Sequence, residues 1–299
     1  LKRNATKTPF LFSLLRALLR SLPISVEIAL AGGLARLASM IDRRHSAVAM
    51  ANLDLAYGDE MPAQEKRRIV VRSYENLIIT AMETIKAQGA SREEILSRVE
   101  FENEEFLLEA LDSGRAIIFI TAHFGNWELG ALAIGARFTP IAIVGRPLDN
   151  RALDAVLRAT REQFGITMIP KSRALVMMMK SLKAGTPVGV VVDQNTRTKD
   201  GLLVDFFGKE ARHTPVVSIL ARRTDALVVP VYSFSDDYRK WRVRFYPPLE
   251  IRKSDDMQKD IEEFTQKQAE VTERVIRSKP DEWFWLHKRW KNRYEEIYR

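Results

Sequence analysis

The chain has 299 residues, 46% of them apolar, and carries 47 Lys and Arg against 39 Asp and Glu, a formal charge of +8. That length suits one large α/β domain or two small ones, with enough apolar residues for a sizeable core. Having no cysteine, the chain is excluded from disulfides and thiol chemistry, and suits a cytosol-facing protein.

The charge is uneven. Residues 1–50 hold eight Lys and Arg (Lys2, Arg3, Lys7, Arg16, Arg20, Arg36, Arg43 and Arg44) against Glu27 and Asp42, a local charge of +6. Over residues 10–22, Phe10, Leu11, Leu14, Leu15, Leu18, Leu19 and Leu22 recur at helical spacing, with Arg16 and Arg20 sharing a face. Pro23 breaks that helix. Residues 24–41 are a second apolar run, interrupted by Glu27 and Arg36. Neither run supplies the roughly 20 nearly charge-free residues of a clean membrane span, and no small-residue cleavage site marks a secretory signal. The pattern predicts a basic helical hairpin in or on an anionic membrane interface; a pair of core-packing helices is the plainer reading of the same residues.

Residues 43–57 and 62–88 read as helices, the second with an apolar face of Val70, Val71, Tyr74, Leu77, Ile78 and Ala81. Residues 91–113 are charged and helix-prone, with a short strand at Val99-Glu100-Phe101, and Gly114 turns the chain into Ile117-Ile118-Phe119-Ile120. That short β-branched run predicts a buried strand. It ends in Thr121-Ala122-His123-Phe124-Gly125-Asn126-Trp127-Glu128, where Gly125 and Asn126 break the pattern and Asn126 can cap a helix from Trp127.

Strand ends are where open α/β sheets hold ligands. Five positions along one helix would rotate His123 and Glu128 apart, so they meet only if the chain turns at Gly125-Asn126. A carboxylate on one imidazole nitrogen fixes the tautomer and leaves the other free to take a proton. With no thiol and no Gly-x-Ser-x-Gly elbow, such a base fits direct attack by a substrate hydroxyl. A backbone-bonded histidine and a solvated first-turn acid account for the spacing equally well. With four histidines and none paired with a second His or Cys at ligand spacing, no metal site is expected.

Further along, Pro140 to Val144 and Thr167 to Ile169 read as strands, and Val176 with three methionines as a helix of adaptable apolar filler. Arg146, at a strand end, can hold a phosphate or carboxylate. Val188 to Val192 is another buried strand and delivers Asp193 to the same sheet edge as His123. After Thr214-Pro215 a helix begins; Leu227 to Phe234 and Arg242 to Tyr246 read as neighbouring strands, and Asp255 to Arg277 as a long amphipathic helix. The tail Trp283-Phe284-Trp285-Leu286-His287-Lys288-Arg289-Trp290-Lys291 can stack on nucleic-acid bases, sit at a membrane or pack on the domain.

These segments carry a resemblance. His123 to Glu128 matches the H-x4-D/E motif of glycerolipid-type acyltransferases, and the string HFGNWE resembles the bacterial late acyltransferases of lipid A biosynthesis. The blocks Arg146-Pro147-Leu148-Asp149-Asn150, Asp193-Gln194, Val204-Asp205-Phe206-Phe207-Gly208 and the tryptophan-rich tail follow in that family's order. The resemblance implies an α/β fold with a mixed, mostly parallel central sheet flanked by helices, glycerolipid-acyltransferase-like. Residues 1–44 would form a membrane-associating helical segment and 45–299 a single acyltransferase domain.

It further implies an O-acyltransferase moving a fatty acyl group from acyl carrier protein, or acyl-coenzyme A, to a hydroxyl of a lipid A precursor. No cofactor is implied. His123 would be the base and Glu128 its orienter, with Asn126, Arg146, Arg161 and Asp193 at the substrate. Acyl carrier protein, a glycolipid and a membrane surface are the implied partners, and the cytoplasmic face of the inner membrane the implied location. A phosphatidylinositol mannoside is the alternative acceptor. The competing class is a non-catalytic basic protein of membranes or nucleic acid, which explains the charge and the tail but not the His–Glu spacing, and lacks a nucleic-acid reading motif.

Overall fold

A computed structural model describes residues 10–145 and 150–299. The described residues open with four helices: α1 (Phe10–Ser21), α2 (Ile24–Ile41), α3 (Arg43–Tyr57) and α4 (Ala63–Ala87). Pro23 separates the first two, as its missing N–H and fixed φ require. α4 buries Ile69, Val70, Ser73, Tyr74, Asn76, Ile79, Thr80 and Glu83 along one stripe, the 3.6-residue periodicity that seats a helix on a core.

An alternation of helices and strands follows: α5 (Arg92–Leu96), β1 (Val99–Glu102), α6 (Glu104–Asp112), β2 (Ile117–Thr121), α7 (Trp127–Arg137), β3 (Ile141–Gly145), α8 (Arg151–Glu162), β4 (Ile166–Pro170), α9 (Ala174–Lys183) and β5 (Val188–Val191). A small antiparallel pair, β6 (Leu202–Asp205) and β7 (Glu210–His213), precedes α10 (Val216–Thr224), β8 (Leu227–Phe234), β9 (Trp241–Phe245) and α11 (Met257–Ser278). The main sheet has seven strands in the order β1-β9-β8-β2-β5-β3-β4. Neighbours are parallel except β8 and β9. The expected mixed, mostly parallel α/β architecture is the one observed.

β2 lies at the centre, between β8 and β5. Its side chains alternate between two cores. Ile117 and Phe119 join Leu129, Leu132 and Ala133 of α7, whereas Ile118 and Ile120 join Met178, Leu182, Val217 and Leu220 of α9 and α10. A strand covered on both faces must be apolar throughout, hence the unbroken Ile-Ile-Phe-Ile run. A third core gathers the tail: Trp283, Trp285 and Trp290 pack with Phe206, Phe207, Leu53 and Ile69, and each tryptophan is at most 2% exposed. The tail therefore packs on the domain, and its tryptophan rings are not displayed for bases or lipid.

Candidate active site

The site begins with strand register. Thr121 of β2 pairs with Val191 of β5, and the ladder extends one bond further, from the Val192 N–H to the Thr121 carbonyl at 3.0 Å. Two residues past those partners stand His123 and Asp193, so the register itself sets them face to face. His123 Nδ1 lies 2.9 Å from Asp193 Oδ1, and the His123 backbone N–H donates to Asp193 Oδ2 at 3.0 Å. The Trp283 indole Nε1–H donates to the same Oδ2 at 2.8 Å. Asp193 is 3% exposed and accepts all three.

A left-handed turn then carries the chain into α7. Gly125 has φ +54°, and a Cβ there would lie 1.8 Å from the Ser233 carbonyl oxygen, so only glycine fits. Asn126 Oδ1 accepts the Leu129 N–H at 3.0 Å and caps α7, as its place in the sequence predicts. The Thr80 hydroxyl of α4 donates to the Gly125 carbonyl at 3.3 Å from behind.

The His123 ring stands between two aromatics, Trp127 at 5.0 Å and Phe284 at 6.2 Å between centroids. Its side chain keeps 23% exposure. Nε2 faces the exposed Gln194, whose Nε2 is 3.5 Å away. With Nδ1–H donated to a carboxylate, Nε2 carries the lone pair, which is the arrangement of a general base.

Burial opposes the charged imidazole, but the charge of Asp193, its hydrogen bond and the charge of Glu128 outweigh that and hold the His123 pKa above the ordinary histidine value of 6.5. Burial would likewise push Asp193 up; His123 and the Trp283 N–H win, and the carboxyl sits well below its usual range.

The Glu128 carboxylate takes Arg161 as its partner. Arg161 of α8 grips it with two bonds, Nε to Oε2 at 3.0 Å and Nη2 to Oε1, while Arg161 Nη1 contacts the Met168 sulfur at 3.3 Å. A planar guanidinium matches both carboxylate oxygens at once, which makes this the stronger partner for Glu128. The place expected for Glu128, on one imidazole nitrogen, is thus held by Asp193, on Nδ1.

Of the residues expected at the substrate, Arg161 has its guanidinium on Glu128, Asp193 is buried beside the imidazole, and Asn126 is fully buried as a helix cap. Arg146 lies outside the described residues. Trp283 and Gln194 are site residues that composition and spacing did not single out for this role. A small cavity of about 90 Å³ opens next to Arg161, lined by Gly145, Leu157, Arg158, Met168 and Ile169.

With the geometry in place, comparison with known proteins is decisive for kinship. Residues 3–292 match the bacterial lipid A biosynthesis acyltransferases. The chain belongs to that family. Among curated relatives, the lipid A biosynthesis lauroyltransferase of Escherichia coli K12 is 29% identical over 278 residues, 92% of this chain and 89% of the relative. The E. coli K12 lipid A biosynthesis palmitoleoyltransferase is 24% identical over 84% of this chain and 80% of its own. The phosphatidylinositol mannoside acyltransferase of Mycolicibacterium smegmatis is 27% identical over 62% of this chain and 60% of its own. As a member of the lipid A acyltransferase family, the chain is an enzyme that transfers acyl groups, and the non-catalytic reading of its basic charge falls away.

Proposed function

We propose that this enzyme moves a fatty acyl group from a thioester donor, acyl carrier protein or coenzyme A, to a hydroxyl of a lipid A precursor, with His123 as general base and Asp193 as its orienting carboxylate. The observation that carries this reading is the Nδ1–Asp193 bond of 2.9 Å, which leaves Nε2 open at the carboxyl edge of the sheet. The acceptor O–H gives its proton to Nε2 as the oxygen attacks the thioester carbonyl. The tetrahedral intermediate then expels the thiolate, and the imidazolium returns the proton to that sulfur. Asp193 stabilises the imidazolium between the two steps. General-base help of this kind is worth on the order of 10²–10⁴-fold. Glu128 adds negative charge near the ring and ties α7 to α8 through Arg161.

The N-terminal helices support work at a lipid surface. α2 is long and apolar enough to cross a membrane, with mean hydropathy 1.5. It packs along α4, facing it with the buried Glu27, Ala31 and Ala35. Lys86 reaches Glu27 at 2.7 Å. Its other face shows Val26, Leu30, Leu34, Leu37 and Met40, with Arg36, Arg43 and Arg44 close by. Such a surface suits insertion into the interface of an anionic bilayer, in keeping with the cytoplasmic leaflet of the inner membrane.

The test is transfer of a radiolabelled acyl group to a lipid A precursor in detergent, with acyl carrier protein and coenzyme A donors in parallel. Product with the native enzyme and a loss of two or more orders of magnitude in His123→Ala supports the reading. Near-normal transfer by His123→Ala overturns the mechanism. Transfer only to a phosphatidylinositol mannoside overturns the acceptor.

A further inference from the structure

The C-terminal tail joins the two loops that carry the site. On the His123 side, the Phe284 N–H donates to the His123 carbonyl at 2.9 Å and the Gly125 N–H donates to the Glu282 carbonyl at 2.9 Å. Phe124 and Trp283 form an antiparallel bridge between them. On the Asp193 side, Trp283 Nε1–H reaches Oδ2 at 2.8 Å, the Asn195 N–H donates to His287 Nε2 at 2.9 Å, and Asn292 Nδ2 donates to the Thr196 carbonyl at 2.7 Å. The tail is fixed from the opposite side by Asn52 Nδ2, which donates to the Trp285 and His287 carbonyls, each at 2.7 Å.

Burial alone does not dictate the Trp283 contact. The Trp285 indole N–H finds a backbone carbonyl, that of Pro280, at 2.7 Å. The buried Trp290 Nε1 has no hydrogen-bond partner among the described residues. Trp283 instead meets the one carboxylate that also holds the imidazole. Asp χ2 is a soft, broad torsion, so the rotation of this carboxylate is set by its partners. Those on Oδ2 are the His123 backbone N–H and the Trp283 indole N–H.

We propose that Trp283 is a positioning residue for acyl transfer: its indole N–H pins the Asp193 carboxylate so that Oδ1 faces His123 Nδ1, and the tail around it fixes the His123 loop against the Asp193 loop. The proposal rests on the His123–Asp193 pair being catalytic. Trp283 is 2% exposed and acts through Asp193, so its loss is expected to change turnover rather than affinity. Removing a donor from Asp193 also makes the carboxylate more basic, which favours the imidazolium and moves the acid limb of the rate profile to higher pH.

The experiment uses the full chain in detergent, a radiolabelled acyl-carrier-protein thioester and a lipid A precursor. Trp283 is replaced by Phe, and separately by benzothienylalanine, which keeps the indole shape and lacks the N–H. The expected result for both is a kcat lower by about tenfold or more, KM for both substrates within about twofold, and an upward shift of the acid limb. The Trp283→Phe/Asp193→Asn double variant is expected to be no slower than Asp193→Asn alone. Wild-type kcat per folded molecule in the benzothienylalanine protein overturns the proposal, as do an unmoved acid limb or a fully additive double variant. If Asp193→Asn itself turns over normally, the catalytic pair falls and this proposal with it; if only the Trp283 replacements are silent, the pair stands and the positioning role alone is lost.

Discussion

His123 and Asp193 are 70 positions apart in the chain, yet their side chains meet at 2.9 Å because β2 and β5 are neighbours in the sheet and their ends are in register. Glu128, five positions from His123, is bound to Arg161 on another helix. The chemistry of the site follows from this exchange of partners.

The first consequence is a pH dependence. As the proposed base, His123 must be neutral to act, and its pKa is held above 6.5. Activity as kcat/KM is therefore expected to rise with pH through one ionisation above that value. Asp193→Asn removes the charge that supports the imidazolium while burial still opposes it. Its acid limb should move to lower pH, and its plateau should fall by about 10²–10⁴-fold. Initial rates across pH 5–9 check both shifts.

Glu128 and Arg161 act as a unit. Either single alanine variant leaves a partly buried charge without its mate, whereas the double variant removes both. The coupling in a double-mutant cycle is expected to be on the order of 1–3 kcal/mol, with Glu128→Ala/Arg161→Ala no less stable than the worse single variant. Chemical denaturation of the four proteins measures it.

The central strands β2, β3, β5 and β8 are legible in the sequence because each is an apolar run set off by glycine or a polar residue. The β6–β7 hairpin is not legible in this way: Glu210-Ala211-Arg212-His213 alternates charge with burial, and the pair covers the tail rather than joining the main sheet. His123 and Asp193 were both legible as strand-end groups. Which carboxylate served His123 was not, since that depends on β5 crossing back to lie beside β2. Spacing favoured Glu128, and nothing local in the sequence records that Arg161 takes it. The Trp283 role needed the tail's return to the sheet edge.

Glu282, in the same tail, is 1% exposed, and its burial pushes the carboxyl up from 4.5 to about 7, although Lys279 opposes this. A folded pKa above the unfolded one gives stability that is complete below about 4.5 and lost as pH rises through about 7. Between pH 4.5 and 8 the unfolding free energy of the native chain should fall by about 3 kcal/mol more than that of Glu282→Gln. Urea denaturation at the two pH values gives the difference.

Leu30 and Leu34 are 46% and 50% exposed on the outer face of α2. Leu30→Glu/Leu34→Glu should weaken binding to anionic vesicles by about tenfold or more, as lost apolar burial and added negative charge act together. Transfer between detergent-dispersed substrates should be unchanged. Vesicle sedimentation set beside the detergent assay separates the two effects.

The most direct measurement is nitrogen NMR of His123 in the native chain, Asp193→Asn and Glu128→Gln, each at a pH above the acid limb of its activity profile. The expected spectrum has the proton on Nδ1 and a bare Nε2 in the native chain and in Glu128→Gln, and a loss of that preference in Asp193→Asn. A native ring protonated on Nε2, or a tautomer that survives Asp193→Asn and is lost in Glu128→Gln, would contradict the assignment of Asp193 as the partner of the base.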